Sequence, residues 1–305
     1  MKRKDLLGLD GVSREEITEI LDNAMTMRQV LRSNNKKTAH LQGKSIVTLF
    51  YENSTRTRMS FELASKYMSA AAANISASAS SVAKGETLID TGVTLDQMGT
   101  DVIIIRHPMS GAPALLAKHV RSSIINAGDG MNEHPTQALL DLFTMREHLG
   151  DLDGIKVAIC GDVMHSRVAR SNIYGLTTMG ANVVLCAPPT LIPPRIEELG
   201  CTVAPTIEDA CENADVVMGL RIQRERQQKG LFPSVAEYCD HWEITPERVA
   251  LAKKHALVMH PGPMNRGVEI ASSAADSPQS VINQQVESGV AVRMALLYML
   301  TRRER

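Results

Sequence analysis

The sequence predicts an α/β protein of two domains, each a parallel β-sheet flanked by helices, with the C-terminal helix returning to the first domain. Short runs rich in Val and Ile alternate with longer segments of helical period, and such alternation implies parallel strands joined by right-handed crossovers. The chain has 305 residues, which is enough for two domains with separate cores. Hydrophobic residues make up 44% of the sequence and charged residues 22%, as in ordinary globular proteins.

Seven short runs carry few polar residues, as strands covered on both faces do. The predicted strands are Ile46–Phe50, Val102–Ile105, Ile124–Asn126, Val157–Cys160, Val183–Cys186, Val216–Leu220 and Leu257–Met259. Helical period predicts helices over Arg14–Arg32, Met59–Ala73, Leu88–Met98, Pro135–His148, Ile207–Asn213 and Ala291–Arg302. The turn-rich stretch 150–154 leads directly into a strand. It predicts a first domain over residues 1–149, completed by a C-terminal helix within 288–305, and a second domain over 150–287.

The composition excludes several classes of function. A net charge of −1 provides no general attraction for nucleic acid or an anionic membrane, and 3% aromatic residues are too few for base-stacking platforms. No apolar run approaches the ~20 residues of a membrane span, and the charged N-terminus lacks the apolar region of a signal peptide. The five cysteines are scattered without ligand spacing, so we expect reduced, mostly buried thiols in a cytoplasmic protein and no metal site.

The segment Ser54–Arg58 places three hydroxyls and two arginines between a strand and a helix. A helix N-terminus carries partial positive charge and free N–H groups, so it prefers acidic residues. The arrangement is explained if an anion such as phosphate binds there, because the N–H groups, the helix dipole and both arginines are then satisfied together. The alternative is a Ser or Thr N-cap beside two solvated arginines.

Three His-Pro pairs fall where ligands bind to an open parallel sheet, at the carboxyl ends of strands. They are His107-Pro108, His134-Pro135 and His260-Pro261. Arg106 ends a buried strand and therefore needs an anionic partner. His134 and Gln137 place an imidazole and a carboxamide near a helix N-terminus, where they suit a polarised carbonyl and an amide NH2. The alternative is that His134 caps the helix and Gln137 completes a capping box.

The second half of the chain carries three further signals. Val157–Asp162 is similar to the first turn of a nucleotide-binding fold, but it lacks the second and third glycines, so we reject NAD binding. Arg167 near a helix start again suggests an anion. Arg221 ends a strand, and the charged run that follows to residue 230 is either a solvated loop or a mobile lid. Two prolines and a glycine directly follow His260 in the run His260–Gly267, and the backbone carbonyls of this run suit an amine or amide NH2.

Taken in order, these motifs resemble the aspartate/ornithine carbamoyltransferase superfamily over essentially the whole chain. The motifs are STRTR, SxxxKGET, RHP, HPTQ, GDxxxxRVARS, RxQxER and HPGPxNRG. Taken by itself, the SxxxKGET motif would be interpreted as a surface loop. The ornithine branch typically carries cysteines in the motifs corresponding to HPTQ and HPGP, whereas Thr136 and Gly262 stand here. The chain therefore resembles the aspartate branch, and no motif residue suggests lost activity.

The resemblance implies transfer of the carbamoyl group of carbamoyl phosphate to L-aspartate, giving N-carbamoyl-L-aspartate and phosphate in de novo pyrimidine biosynthesis, without a metal or organic cofactor. It implies catalytic roles for Arg56, Thr57, Arg106 and His134. Carbamoyl phosphate would be bound by Ser54, Thr55, Arg56, Thr57, Arg106, His134, Gln137, Gly262 and Pro263. Aspartate would be bound by Lys84, Arg167, Arg221 and Gln223.

The resemblance also implies a homotrimer, in which Ser80 and Lys84 reach into the neighbouring subunit's site. Further assembly with regulatory chains or with a dihydroorotase is compatible with the sequence. Two alternatives stay open: a carbamoyltransferase with another amine acceptor such as ornithine, and a non-catalytic homologue that acts as a scaffold. Arg167 and Arg221 argue for an acceptor with two carboxylates, and a scaffold predicts an eroded site, which the motifs do not show.

Overall fold

The computed structural model describes residues 3–76, 85–222 and 234–302. The chain divides into two compact units. Unit 1 comprises the chain up to Phe143 together with the chain from Glu287, and unit 2 comprises Thr144–Val286. The division falls inside the helix whose end marks the predicted boundary at residue 149.

Unit 1 contains a four-stranded parallel sheet in the order β2-β1-β3-β4. The strands are β1 (Ser45–Phe50), β2 (Ala71–Ser76), β3 (Val102–His107) and β4 (Ser123–Asp129). The helices are α1 (Arg14–Arg32), α2 (Thr55–Tyr67), α3 (Leu88–Gln97), α4 (Ala112–Ala117), the start of α5 (Pro135–Leu149) and most of the final helix, α11 (Ile282–Thr301). Strands β1, β3 and β4 are almost entirely buried, which confirms their prediction as strands covered on both faces.

The prediction of one helix over Met59–Ala73 is wrong at both ends. Helix α2 begins earlier, at Thr55, and ends at Tyr67. Ser69 then adopts a left-handed backbone with φ of 64°, which a continuing α-helix excludes. The alanine-rich residues that follow form β2, which pairs with β1 in the register Ser45↔Ala71. Sheet pairing therefore overrides the high helix propensity of alanine.

The final helix returns to unit 1, as predicted. The carboxylate of Glu287 accepts hydrogen bonds from Arg32 at 3.0 and 3.1 Å, and this contact joins α11 to α1. Deeper in the unit, Nη1 of Arg293 donates to Ser60 Oγ of α2 at 2.9 Å. The apolar residues of α11 around it, including Ala291 and Leu296, are fully buried.

Unit 2 contains a five-stranded parallel sheet in the order β7-β6-β5-β8-β9. The strands are β5 (Lys156–Gly161), β6 (Asn182–Cys186), β7 (Thr202–Val203), β8 (Val216–Leu220) and β9 (Leu257–Met259). The helices are α6 (Arg167–Thr178), α7 (Ile207–Cys211), α8 (Val235–Trp242), α9 (Pro246–Val249) and α10 (Ser272–Ala275), with short 3-10 turns at Pro189–Leu191 and Ile196–Leu199. The short strand β7 has no counterpart among the predicted strands.

The cysteines are free thiols, and four of the five are buried, as predicted. Cys160, Cys186 and Cys211 pack in the apolar core of unit 2. Over residues 3–76, 85–222 and 234–302, no group of three or more His, Cys, Asp or Glu side chains is arranged to hold a metal ion. The same residues include no helix that is both long and apolar enough to span a membrane.

Candidate active site

The N-terminus of α2 lacks the groups that usually compensate the positive end of a helix dipole. Ser54 occupies the N-cap position, but its side chain makes no capping hydrogen bond, and no acidic residue lies in the first turn. Helix α1 shows the usual solution: Ser13 and Glu16 form a capping box, and Glu15 and Glu16 lie in the first turn. The alternative of a hydroxyl-capped α2 is therefore wrong. Neither a capping hydroxyl nor an acidic residue of the first turn offsets the positive end of its dipole.

The residues of this turn differ in exposure. Thr57 is buried, with 7% of its surface exposed, whereas Thr55 and Arg56 are exposed. A hydroxyl at Thr57 and a guanidinium at Arg56 are thus presented from one helical turn, directly after β1. This arrangement suits an anion that binds from the solvent side and contacts the helix end.

Arg106 has the anionic partner that its position demands. It lies near the end of β3, in register with Phe50 of β1. Its Nε is 3.3 Å from Oε2 of Glu52, and its Nη1 donates to the carbonyl of Ala127 at 3.2 Å. Both side chains of the ion pair are largely buried, at 15% and 21% exposed. The partner comes from the β1–α2 loop, which the sequence did not single out.

The side chain of Gln137 has a fixed orientation. Helix α5 begins at Pro135, and Gln137 Nε2 donates to Oδ1 of Asp141 at 2.9 Å, one turn further along. The amide oxygen of Gln137 is therefore the atom left to accept a hydrogen bond. Among the described residues it accepts none, so the capping-box alternative is wrong. His134 precedes the helix and is 4% exposed.

A buried arginine from α11 lies behind these two helix starts. Arg293 is 3% exposed; it donates to Ser60 Oγ at 2.9 Å and to Thr136 Oγ1 at 3.4 Å, and it lies over the Phe61 ring at 5.1 Å. Burial lowers its pKa to about 10, and the negative charge of Asp141 opposes that shift. Arg293 thus links α2 to α5. Sequence reasoning missed it because its helix reads only as amphipathic.

A network of polar groups shapes the turn that leads into His134. Asp129 Oδ2 accepts the N–H of Gly111 at 2.7 Å, and Asp129 Oδ1 accepts the N–H of Glu133 at 3.1 Å. Asn126 donates to Asp129 Oδ1 at 2.7 Å. The end of β4 is therefore held to the loop after β3. Because burial lowers the pKa of His107, the last residue of β3, its neutral form is favoured.

In unit 2, Arg167 is the first residue of α6 and is only 5% exposed. Ser166 caps the helix by accepting the N–H of Ala169 at 3.1 Å, and no acidic residue lies in the first turn. Arg221 directly follows β8. Gly161, at the end of β5, has φ of +130°, and a Cβ there would lie 2.5 Å from the carbonyl oxygen of Leu220. Only glycine allows β5 and β8 to end this close together.

The loop after β9 presents Gly262 in a defined backbone conformation. Its φ is +62° and the Gly262–Pro263 peptide is cis. Its N–H donates to Nδ1 of the buried His260 at 2.8 Å. The histidine of this His-Pro pair therefore supports the loop from inside, while Pro263 at the tip is exposed.

Within each unit, the predicted site residues follow neighbouring parallel strands. In unit 1 they follow β1, β3 and β4, and in unit 2 they follow β5, β8 and β9. The carboxyl ends of such strands share one edge of a sheet, which is where ligands bind. Three predicted site residues, Ser80, Lys84 and Gln223, lie outside the described residues, as does the proposed lid up to residue 230.

The fold and these sites define a two-domain α/β transferase of the carbamoyl-transfer class. The family model for "Aspartate/ornithine carbamoyltransferase, carbamoyl-P binding domain" matches residues 4–147, and the model for the "Asp/Orn binding domain" matches residues 153–300. The chain belongs to the aspartate/ornithine carbamoyltransferase family.

Its relatives point to the aspartate branch. The chain is 68% identical over 303 residues to the aspartate carbamoyltransferase catalytic subunit of Ruminiclostridium cellulolyticum, covering 99% of this chain and 97% of that protein. It is similar to the crystal structure of aspartate transcarbamoylase from Trypanosoma cruzi in complex with carbamoyl aspartate and phosphate, with a TM-score of 0.88, 31% identity and coverage of 96% and 94%. The ornithine carbamoyltransferase of Pyrococcus furiosus gives a TM-score of 0.85 at 30% identity, covering 96% and 95%. The fold alone therefore does not select the acceptor.

Proposed function

We propose that this protein is a catalytic chain that transfers the carbamoyl group of carbamoyl phosphate to the amine of L-aspartate. The products are N-carbamoyl-L-aspartate and phosphate, and the step belongs to de novo pyrimidine biosynthesis. The observation that carries the proposal is the N-terminus of α2. Its first turn has no acidic residue and its N-cap side chain makes no capping hydrogen bond, and the chain adds two arginines to this positive helix end. An enzyme with a phosphate-bearing substrate accounts for it.

Carbamoyl phosphate is assigned to residues at the strand ends of unit 1 and to the loop after β9. Ser54, Thr55, Arg56 and Thr57 hold the phosphate through hydroxyls, N–H groups and the guanidinium. Thr57, Arg106 and His134 donate toward the carbonyl oxygen, where negative charge develops in the tetrahedral intermediate. Each such donor is worth roughly 3–4 kcal/mol.

The carbamoyl NH2 is assigned to acceptors. The fixed amide of Gln137 offers its oxygen, since Nε2 is engaged by Asp141, and the backbone carbonyl of Gly262, beside Pro263, offers a second. These groups distinguish an NH2 from a methyl or a second carboxylate oxygen, because only NH2 donates.

Aspartate is assigned to cations. Arg167 and Arg221 follow the ends of β5 and β8 and suit two carboxylates, and Gln223 and Lys84 complete the set. Ser80 and Lys84 are proposed to come from the neighbouring subunit. Two arginines for an acceptor with two carboxylates are the reason to prefer aspartate over ornithine, whose side chain ends in a cation.

The reaction needs no protein nucleophile. The neutral amine of aspartate attacks the carbamoyl carbon and forms the C–N bond, the C–O bond to phosphate then breaks, and the departing phosphate takes the amine proton. Holding the two substrates in attack geometry supplies ~7–11 kcal/mol of the barrier reduction. The proposal includes no metal or organic cofactor.

A cytoplasmic homotrimer is the proposed active unit. It is supported by large apolar side chains that unit 1 exposes on α4, directly after α3 and in loops. They are Met98 (74% exposed), Met109 (69%), Met131 (46%) and Leu115 (45%). Contiguous exposed apolar patches mark protein–protein interaction sites. Regulatory chains or a dihydroorotase are further candidate partners. The proposed activity and its acceptor are tested by following product formation from carbamoyl phosphate with aspartate and with ornithine.

A further inference from the structure

A buried carboxylate lies behind the loop after β9. Glu269 is 1% exposed. Its Oε1 lies 3.2 Å from Nε2 of His260 and accepts the N–H of Asn265 at 2.5 Å, and its Oε2 accepts the Asn265 side-chain amide at 3.1 Å. A carboxylate in such a place is costly unless donors surround it. Here three donors from the loop do so.

The first arm of this network leads to Gly262. The N–H of Gly262 donates to Nδ1 of His260 at 2.8 Å, so Nδ1 carries no proton. A neutral His260 then carries its proton on Nε2 and donates it to Glu269. The ring is further confined, because its own backbone N–H donates to Gln285 at 3.0 Å and a Cβ at Gly219 would lie 3.0 Å from its Cδ2. Glu269 therefore fixes the tautomer of His260, and His260 fixes the amide of Gly262.

The second arm leads to the end of β8. The side-chain nitrogen of Asn265 has two hydrogens, of which one goes to Glu269 and the other to the carbonyl of Ile222 at 3.4 Å. Ile222 is buried and directly follows Arg221. One carboxylate is thus connected to two backbone segments, one for each substrate of the proposed reaction.

We propose that Glu269 is a positioning residue: through His260 and Asn265 it orients the Gly262 carbonyl toward the carbamoyl NH2 and holds the backbone that carries Arg221. This inference rests on the proposed function for its substrates, but the hydrogen-bond network does not. Its consequence is selectivity. Carbamoyl phosphate and acetyl phosphate have the same shape and charge and differ by NH2 against CH3, so only the first responds to an oriented carbonyl.

The test variant is Glu269→Gln. Its amide offers one oxygen and one NH2 to three donors, so at least one donor loses its partner. We expect the ratio of the acetyl phosphate Ki to the carbamoyl phosphate KM to fall about tenfold, which is one hydrogen bond's worth of binding, while the acetyl phosphate Ki itself stays unchanged. The control, Glu212→Gln, removes an exposed charge from the same unit and leaves both constants unchanged.

Amide hydrogen exchange tests the hydrogen-bond network of Glu269 independently of catalysis. The amides of Gly262 and Asn265 are expected to exchange faster in Glu269→Gln than in the parent and Glu212→Gln chains, because their acceptors are no longer fixed. If the parent chain forms no carbamoyl aspartate, the proposed function fails while this comparison still tests the positioning role. An unchanged exchange rate of the Gly262 amide in Glu269→Gln overturns the positioning role. If the parent is active, an unchanged ratio of the acetyl phosphate Ki to the carbamoyl phosphate KM in Glu269→Gln overturns it as well.

A second variant keeps the inference testable if Glu269→Gln does not fold. Asn265→Ala keeps the buried His260–Glu269 pair and the Asn265 backbone N–H, and it removes the side-chain hydrogen bonds to Glu269 Oε2 and to the Ile222 carbonyl. We expect a several-fold rise in the KM for aspartate, an unchanged carbamoyl-to-acetyl selectivity and a Gly262 amide as protected as in the parent. An unchanged KM for aspartate, or a lost protection at Gly262, contradicts the two-arm arrangement.

Discussion

The side-chain amide of Gln137 donates from Nε2 to Oδ1 of Asp141, at 2.9 Å and one helical turn away. Asp141 is fully buried, and a carboxylate only accepts hydrogen bonds. The relationship therefore determines which end of the Gln137 amide faces a ligand, a choice that the residue type alone leaves open. It also places a buried negative charge near the cation of Arg293.

Asp141→Asn is expected to release this orientation, because an Asn side chain can present either its oxygen or its NH2 to Gln137. We predict that kcat/KM for carbamoyl phosphate falls about tenfold, in line with the loss of one oriented hydrogen bond. Steady-state kinetics on folded protein measure the effect, and Asp10→Asn, at an exposed position, serves as the control. A variant as active as the parent would mean that the Asp141 contact does not orient Gln137 for the reaction.

Arg56→Ala is predicted to lower turnover by orders of magnitude without unfolding the chain. Arg56 lies exposed in the first turn of α2, so its removal costs little packing but deprives the phosphate of the Arg56 guanidinium. Arg14→Ala is a matched control, since Arg14 is also exposed in a first helical turn, that of α1. The same loss is expected for Arg106→Ala. Near-normal activity in either folded variant removes that arginine from the site.

Mixing two inactive variants tests the shared site. Lys84→Ala and Arg56→Ala trimers, dissociated together and reassembled, are expected to regain partial activity, because some hybrid sites combine an intact Arg56 with an intact Lys84 from the neighbouring subunit. Each variant carried through the same treatment alone stays inactive. Hybrid trimers with no recovered activity would place Lys84 in its own subunit's site, or in none.

Asp96 provides a test of stability against pH. It is 7% exposed. Burial raises its pKa, but hydrogen bonds from Ser122 and Arg121 outweigh burial and leave the pKa below its usual value. A carboxyl whose folded pKa is lowered contributes stability above its unfolded pKa, and this contribution is lost as the pH falls through the folded pKa.

Asp96→Asn is therefore expected to lower the free energy of unfolding by about 1–3 kcal/mol at pH 7. The difference from the parent should shrink as the pH falls below about 4, the ordinary pKa of an aspartate. Urea denaturation of the parent and the variant, followed with a spectroscopic probe in each unit at pH 7 and at lower pH, measures this difference in the free energy of unfolding. A difference that stays constant across this range would show that the charge of Asp96 does not contribute.

The sequence was sufficient for the parallel strands and for the residues at their ends, because continuous apolar runs and strand-end arginines are local signals. It was insufficient where long-range pairing decides. The alanines of β2 read as a helix until β1 pairs with them. Likewise, Glu52, Asp141, Glu269 and Arg293 are single polar residues without a motif. Their roles emerge only when the fold brings them against Arg106, Gln137, His260 and Thr136.

The most direct measurement is product formation from carbamoyl phosphate, followed in parallel with L-aspartate and with L-ornithine. We predict carbamoyl aspartate and phosphate in equal amounts with aspartate, and no carbamoylated product with ornithine. Carbamoylation of ornithine would contradict the assignment of Arg167 and Arg221 to two carboxylates. No product with either amine, from folded protein that still binds phosphate, would contradict catalysis by this chain and leave the scaffold alternative.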